Sequence, residues 1–173
     1  MNRGVEKLKI VPHGINEIIE TYGNPDADYD FLPDDEFLRN RTEVVSLPFP
    51  MRLSWNPDQR MSRIRVHIHV WDSMEDALEE ILNYRGYDYL EENKFDYCGG
   101  VYNFRKMRAY NALSFHSWAG CIDLNPHIAP LGEKGDQPDF IVKAFERRNW
   151  IWGGRWSDPY RPDPMHFQTA TGY

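Results

Sequence analysis

The stretch Ser114-Phe115-His116-Ser117-Trp118-Ala119-Gly120-Cys121-Ile122-Asp123-Leu124 carries a histidine and an aspartate seven residues apart. On a helix that spacing would align the two on one face. Gly120 and the β-prone flanks favour strand, turn, strand over Leu113 to Leu124 instead. His116 then leaves one strand, Asp123 sits on the next, and both face one cleft. Imidazole and carboxylate donate lone pairs to a metal ion at about 2.0–2.2 Å. Two such donors on one hairpin make a rigid half-site, which needs a third donor from elsewhere and leaves a fourth position for water.

The candidate third donor is His166, in Asp163-Pro164-Met165-His166-Phe167. Asp163 lies three residues before it. A carboxylate that sits near a metal without ligating it can take a proton from water whose pKa the metal has lowered. Each fragment alone arises often by chance. The chain has six histidines, and the other four are His13, His67, His69 and His127. His67 and His69 share a strand face with Arg63 and Arg65, whose charge repels a cation, so that face reads as solvated or groove-lining rather than metal-binding. His127 follows Pro126 in a loop and reads as surface.

Working outward, Ile15, Ile18, Ile19 and Tyr22 have helical spacing over Gly14 to Tyr22, and Gly23-Asn24-Pro25 stop that helix. Pro25 to Arg41 is acidic and reads as surface loop. Pro48 and Pro50 make any strand over Val44 to Trp55 an edge or a broken one. Ile64, Val66, Ile68 and Val70 alternate with polar residues as a half-buried strand does. Ser73 is a candidate helix cap, and Met74, Ala77, Leu78, Ile81 and Leu82 form the buried stripe behind it. Phe95 to Asn103 is β-prone around Gly99-Gly100. Pro138 starts a helix with Ile141, Val142, Ala144 and Phe145 on its apolar face. Gly153-Gly154, among Trp150, Trp152 and Trp156, reads as a tight β-turn. The order predicts an α+β fold, a small antiparallel sheet with helices packed on one side. Residues 1–173 make one domain, with 1–60 a poorly legible extension on a core at 61–170.

Bulk properties narrow the function. A net charge of −7 argues against nucleic-acid binding, which needs a basic face. No apolar run approaches the roughly 18 residues of a membrane span. Met1 to Ile10 lacks the apolar segment of a secretory signal, so the expectation is a chain that is cytoplasmic as synthesised. Cys98 and Cys121 are expected as buried thiols rather than a bridge.

Ser114-x-His116-x6-Asp123, Trp152-Gly-Gly-x-Trp156 and Asp163-x-x-His166-Phe167 together resemble the zinc peptidases of peptidoglycan, the D-alanyl-D-alanine carboxypeptidase and L-alanyl-D-glutamate endopeptidase family, in its phage endolysin-like branch. The resemblance runs from about Gly99 to Phe167. It implies the fold shared with hedgehog signalling domains, one Zn2+ held by His116, Asp123 and His166, and Asp163 as catalytic base. It also implies an active-site arginine ahead of the first motif, for which Arg105 fits, with Arg108 the close alternative. A guanidinium holds an oxyanion or a substrate carboxylate in a planar fork. Ser114, Arg108 and Trp156 are the expected substrate contacts; Trp118 could also wall the cleft, although aromatics placed as these two are more often core.

Three positions depart from the family pattern. Ala119 stands where the family usually has glycine, so either the turn has moved to Gly120 or Ala119 keeps a negative φ. Cys121 replaces an alanine, as a core thiol or as a perturbation of the site. Gln168 follows His166-Phe167 where an acidic residue is common. The implied function is hydrolysis of an amide bond in a peptidoglycan stem peptide by a monomer. The alternative is a non-catalytic zinc-containing binding domain of the same fold. If phage-encoded, the chain would sit in the host cytoplasm before release or ride in the virion.

Overall fold

The computed structural model describes residues 9–108, 110–157 and 160–172. The expectation about a leader at Met1 to Ile10 therefore falls mostly outside the described residues. Helix α1 covers Gly14–Tyr22, buries Ile18 and Tyr22, and ends where the Gly23 N–H donates to the Ile19 carbonyl at 2.8 Å. The acidic segment expected as loop contains a second helix, α2, at Asp35–Arg41. Asp35 and Glu36 in its first turn and Arg39 and Arg41 in its last suit the helix dipole. Phe37 is its buried residue, which left little apolar periodicity to read. Before α2, the carboxylates of Asp26, Asp28 and Asp30 accept backbone N–H groups of Phe31, Asp30 and Leu32, and so shape the loop.

Strands β1 (Thr42–Leu53) and β2 (Asn56–His67) form a long hairpin. After α3 (Trp71–Arg85) and α4 (Tyr87–Glu92) come β3 (Tyr97–Gly100), β4 (Cys121–Leu124), α5 (Asp139–Glu146), β5 (Ile151–Trp152) and β6 (His166–Gln168). The sheet order is β2-β1-β3-β4-β6-β5. Every pairing is antiparallel except β1 with β3. The fold is α+β, with a mostly antiparallel sheet of six strands.

Several local expectations are corrected. Of the two readings of β1, edge or broken, only the second holds: it lies between β2 and β3, and its pairing with β2 is interrupted at the prolines, between Ser46 and Met51. The alternation on β2 ends one residue early. His67 is fully buried while Ile68 is exposed, because the chain turns after His67. Ser73 lies inside the first turn of α3 rather than capping it. Its hydroxyl donates to the Val70 carbonyl and accepts from the Trp150 indole, at 3.0 Å each. Gly153–Arg155 is a 3-10 turn rather than a β-turn.

The core lies between the sheet and helices α3 and α5. Met74, Ala77, Leu78 and Ile81 of α3 are buried, as are Ile141, Val142, Ala144 and Phe145 of α5. Phe145 stacks on Phe167 of β6 at 4.7 Å. Arg148, only 2% exposed, ties the two helices by donating to Asp76 and Glu80 at 2.6 Å each. Such a buried cation is tolerable only when paired in this way.

Candidate metal centre

The register of β4 against β6 builds the centre. Asp123 pairs with His166, Ile122 with Phe167, and Cys121 with Gln168. Strand alternation then places Cys121, Asp123, His166 and Gln168 on one face of the sheet. Ile122 and Phe167 turn to the other face, where Phe167 meets α5.

His116 reaches the same face from a 3-10 turn over Phe115–Trp118, not from the expected strand. The Ser117 N–H donates to the Ser114 carbonyl at 2.8 Å, and the Ala119 N–H to the His116 carbonyl at 3.1 Å. Ala119 closes this turn at φ 54, ψ 27, a left-handed conformation. The two explanations for Ala119 therefore both fail: its φ is not negative, and the left-handed position has not moved to Gly120. Gly120 is needed for another reason. A Cβ there would lie 2.6 Å from the Phe115 ring.

The two imidazoles grip one carboxylate. His116 Nε2 lies 3.2 Å from Asp123 Oδ2, and His166 Nδ1 lies 2.7 Å from Asp123 Oδ1. Each ring's other nitrogen is occupied: His116 Nδ1 donates to the Val101 carbonyl at 2.8 Å, and His166 Nε2 donates to Gln168 Oε1 at 2.9 Å. With those protons placed, a neutral ring turns a lone pair toward the carboxylate oxygens. Lone pair against carboxylate is repulsive unless a positive charge lies between, as an added proton or a metal cation. Ring N–H groups held by a carbonyl or amide oxygen are what orients metal-binding histidines. The donor set thus fits a metal ion.

The electrostatics agree. Burial works against charging His116, yet the negative charge that Cys121 and Asp123 place against it raises its pKa. Burial also raises the Cys121 thiol, so Asp123 is the anion that matters. Burial opposes the charged form of His166 too, and Asp123 again outweighs it. Against its own burial, Asp123 is held well below the usual carboxylate range by the two rings.

Asp163 sits in the turn before β6. Its N–H donates to the Gly153 carbonyl at 2.9 Å, and its own carbonyl accepts from the His166 N–H at 3.0 Å. A Cβ at Gly153 would lie 2.5 Å from the Asp163 carbonyl oxygen, so the Trp152-Gly153-Gly154 motif makes room for this turn. Among the described residues, Asp163 Oδ1 is buried without a hydrogen-bond partner. Burial raises the pKa of Asp163, and the charges of His166, Asp123, His116 and Arg105 all reach it.

Arg105 is pinned beside the 3-10 turn, its N–H donating to Ser117 Oγ at 3.2 Å and its carbonyl accepting from the Ser114 N–H at 2.9 Å. Arg108 is exposed. Ser114 is buried. The half-exposed Trp156 ring lies 5.7 Å from the His166 ring. Trp118 belongs to the core, 2% exposed, its indole donating to the Gly23 carbonyl at 2.8 Å. His67 and His69 do not line an open groove together. His67 donates to the Tyr22 carbonyl at 2.9 Å and accepts from the His69 N–H at 3.1 Å. His127 is exposed. Both cysteines are free and buried. The sulfur of Cys121 and one ring nitrogen each of His116 and His166 lie within 4.8 Å of one another.

Two contributors escaped the sequence reading. Gln168 and the Val101 carbonyl orient the histidines. Strand parity holds the signal for Gln168, two residues after His166; a backbone carbonyl leaves none.

No helix among the described residues is long and apolar enough to cross a membrane. Two buried histidines thus flank the Asp123 carboxylate, with the buried, unpartnered Oδ1 of Asp163 in the turn before β6. Residues 108–169 match the family model of D-alanyl-D-alanine carboxypeptidase. The match takes in His116, Asp123, Asp163 and His166, and covers 62 of the 173 residues. No curated protein and no solved structure gives a significant match to the chain.

Proposed function

We propose that this protein is a zinc-dependent peptidase that hydrolyses an amide bond in peptidoglycan stem peptides, either L-Ala–D-Glu or D-Ala–D-Ala. The observation that carries the reading is the geometry at Asp123, whose two oxygens face His116 Nε2 and His166 Nδ1 while both far nitrogens are occupied. Zinc suits two nitrogen donors and one oxygen donor, and when bound it supplies a Lewis acid that lowers the pKa of water and polarises a carbonyl. His116, Asp123 and His166 would hold it. The family match over residues 108–169 supports peptidoglycan as the substrate class.

Asp163 takes the proton of the attacking water on its free oxygen and returns it to the leaving amine. A buried oxygen without a partner costs roughly 1–3 kcal/mol, which a reacting water would offset. Arg105 holds the oxyanion or a substrate carboxylate. Trp156, beside His166, walls the substrate cleft.

The second reading is a non-catalytic zinc-containing binding domain. One observation favours it: the Cys121 sulfur near both histidines offers a fourth donor, and structural zinc sites are closed by four. The unpartnered oxygen of Asp163 favours the enzyme, since a structural metal needs no base.

Incubation of the purified protein with peptidoglycan decides between them. The peptidase releases new amino termini, and Asp163→Asn abolishes that release while metal stays bound. Absence of cleavage by the metal-loaded protein, or full activity in Asp163→Asn, overturns the assignment. Mass spectrometry of the released muropeptides names the bond.

A further inference from the structure

We propose that Cys121 is a fourth protein donor to the cation held by His116, Asp123 and His166, an inference that rests on the metal reading above. Cys121 lies two residues before Asp123 on β4, so alternation turns its side chain to the same face. It pairs with Gln168, the residue that orients His166. Its sulfur lies within 4.8 Å of a ring nitrogen of each histidine. Donors around one tetrahedral zinc with nitrogen and sulfur ligands are roughly 3.5 Å apart, so modest side-chain shifts bring the thiolate within ligating range of an ion held by the two histidines.

The other cysteine shows what a plain core thiol looks like in this sheet. Cys98 pairs with Leu124, one residue beyond Asp123, so it faces the opposite side. Both cysteines are fully buried, yet only Cys121 joins the two histidines. Burial therefore does not distinguish the two; the sheet face does.

Ligation breaks the S–H bond, forms a sulfur–metal bond and releases one proton to solvent. A thiolate biases the site toward zinc, cobalt and cadmium and away from magnesium, calcium and manganese. It also competes with water for access to the metal. With four protein donors the metal would admit water only as a fifth ligand, so Cys121 would raise metal retention at the expense of turnover without abolishing it.

The test is the absorption spectrum of the protein loaded with one equivalent of cobalt(II). Wild type is expected to show visible ligand-field bands together with a near-ultraviolet sulfur-to-cobalt charge-transfer band. Cys121→Ala keeps the visible bands, loses the charge-transfer band and releases metal to a chelator at least roughly tenfold faster. Cys98→Ala keeps both bands. Visible bands without charge transfer in wild type would overturn the role of Cys121 and leave the histidine–aspartate site standing. Absence of visible bands as well would sink both. The wild-type spectrum decides even if a variant fails to fold.

Discussion

His166 donates through Nε2 to Oε1 of Gln168 at 2.9 Å, and this one bond fixes which nitrogen faces Asp123. The Gln168 amide in turn donates to the Ala170 carbonyl at 2.6 Å, so the acceptor is itself held in place. Gln168→Leu should weaken zinc binding by about 10–100-fold, the usual effect of removing such a partner, while the fold persists. Competitive titration against a chromophoric chelator measures this, and unchanged affinity would contradict the role.

The turn between His116 and Asp123 makes different predictions at neighbouring positions. Ala119 at φ 54 bears a left-handed strain of about 1–2 kcal/mol. Replacing it by glycine removes that strain but also deletes a buried methyl worth about 0.8 kcal/mol and loosens the unfolded chain by about 0.4–1 kcal/mol. These nearly cancel, so Ala119→Gly should be close to neutral in denaturant unfolding. Gly120→Ala drives a methyl into the Phe115 ring and should cost about 1–3 kcal/mol.

His67 predicts an acid-sensitive step. Burial, with smaller contributions from the charges of His69 and Arg41, lowers its pKa from 6.5 to about 4, although the Tyr22 carbonyl acts the other way. Its second nitrogen accepts from the His69 N–H, so a proton there has no partner. The unfolded chain therefore binds the proton first. Stability is complete above pH 6.5 and falls by about 3 kcal/mol as pH drops toward 4. Unfolding curves across that range should show the slope, and His67→Gln should flatten it.

Gly153 links the tryptophan-flanked turn to Asp163, the proposed base. Its carbonyl accepts from the Asp163 N–H, and a methyl on it would press on the Asp163 carbonyl. Gly153→Ala should displace Asp163, cutting kcat by at least about tenfold with metal content unchanged. Loss of metal instead would mean that the turn supports His166 rather than the base.

Much of the centre was legible because its donors fall on regular spacings. Asp123 and His166 are adjacent in register on β4 and β6, and apolar residues between donors mark the opposite face. His116 was expected on a strand, because four residues of 3-10 turn leave no periodic pattern. Helix α2 was hidden in an acidic segment, and Phe37 alone is buried on it, which leaves no apolar periodicity. β1 was demoted by Pro48 and Pro50, since a sequence does not reveal that a register shift will accommodate them. The nearness of Cys121 to both histidines depends on distances that spacing leaves open.

The central claim is that His116, Asp123 and His166 hold a zinc ion. Elemental analysis of the purified protein beside Asp123→Ala tests it most directly. The account predicts about one zinc per wild-type chain and little in the folded variant. A folded wild-type protein that takes up no zinc, or a variant that retains it in full, would contradict it.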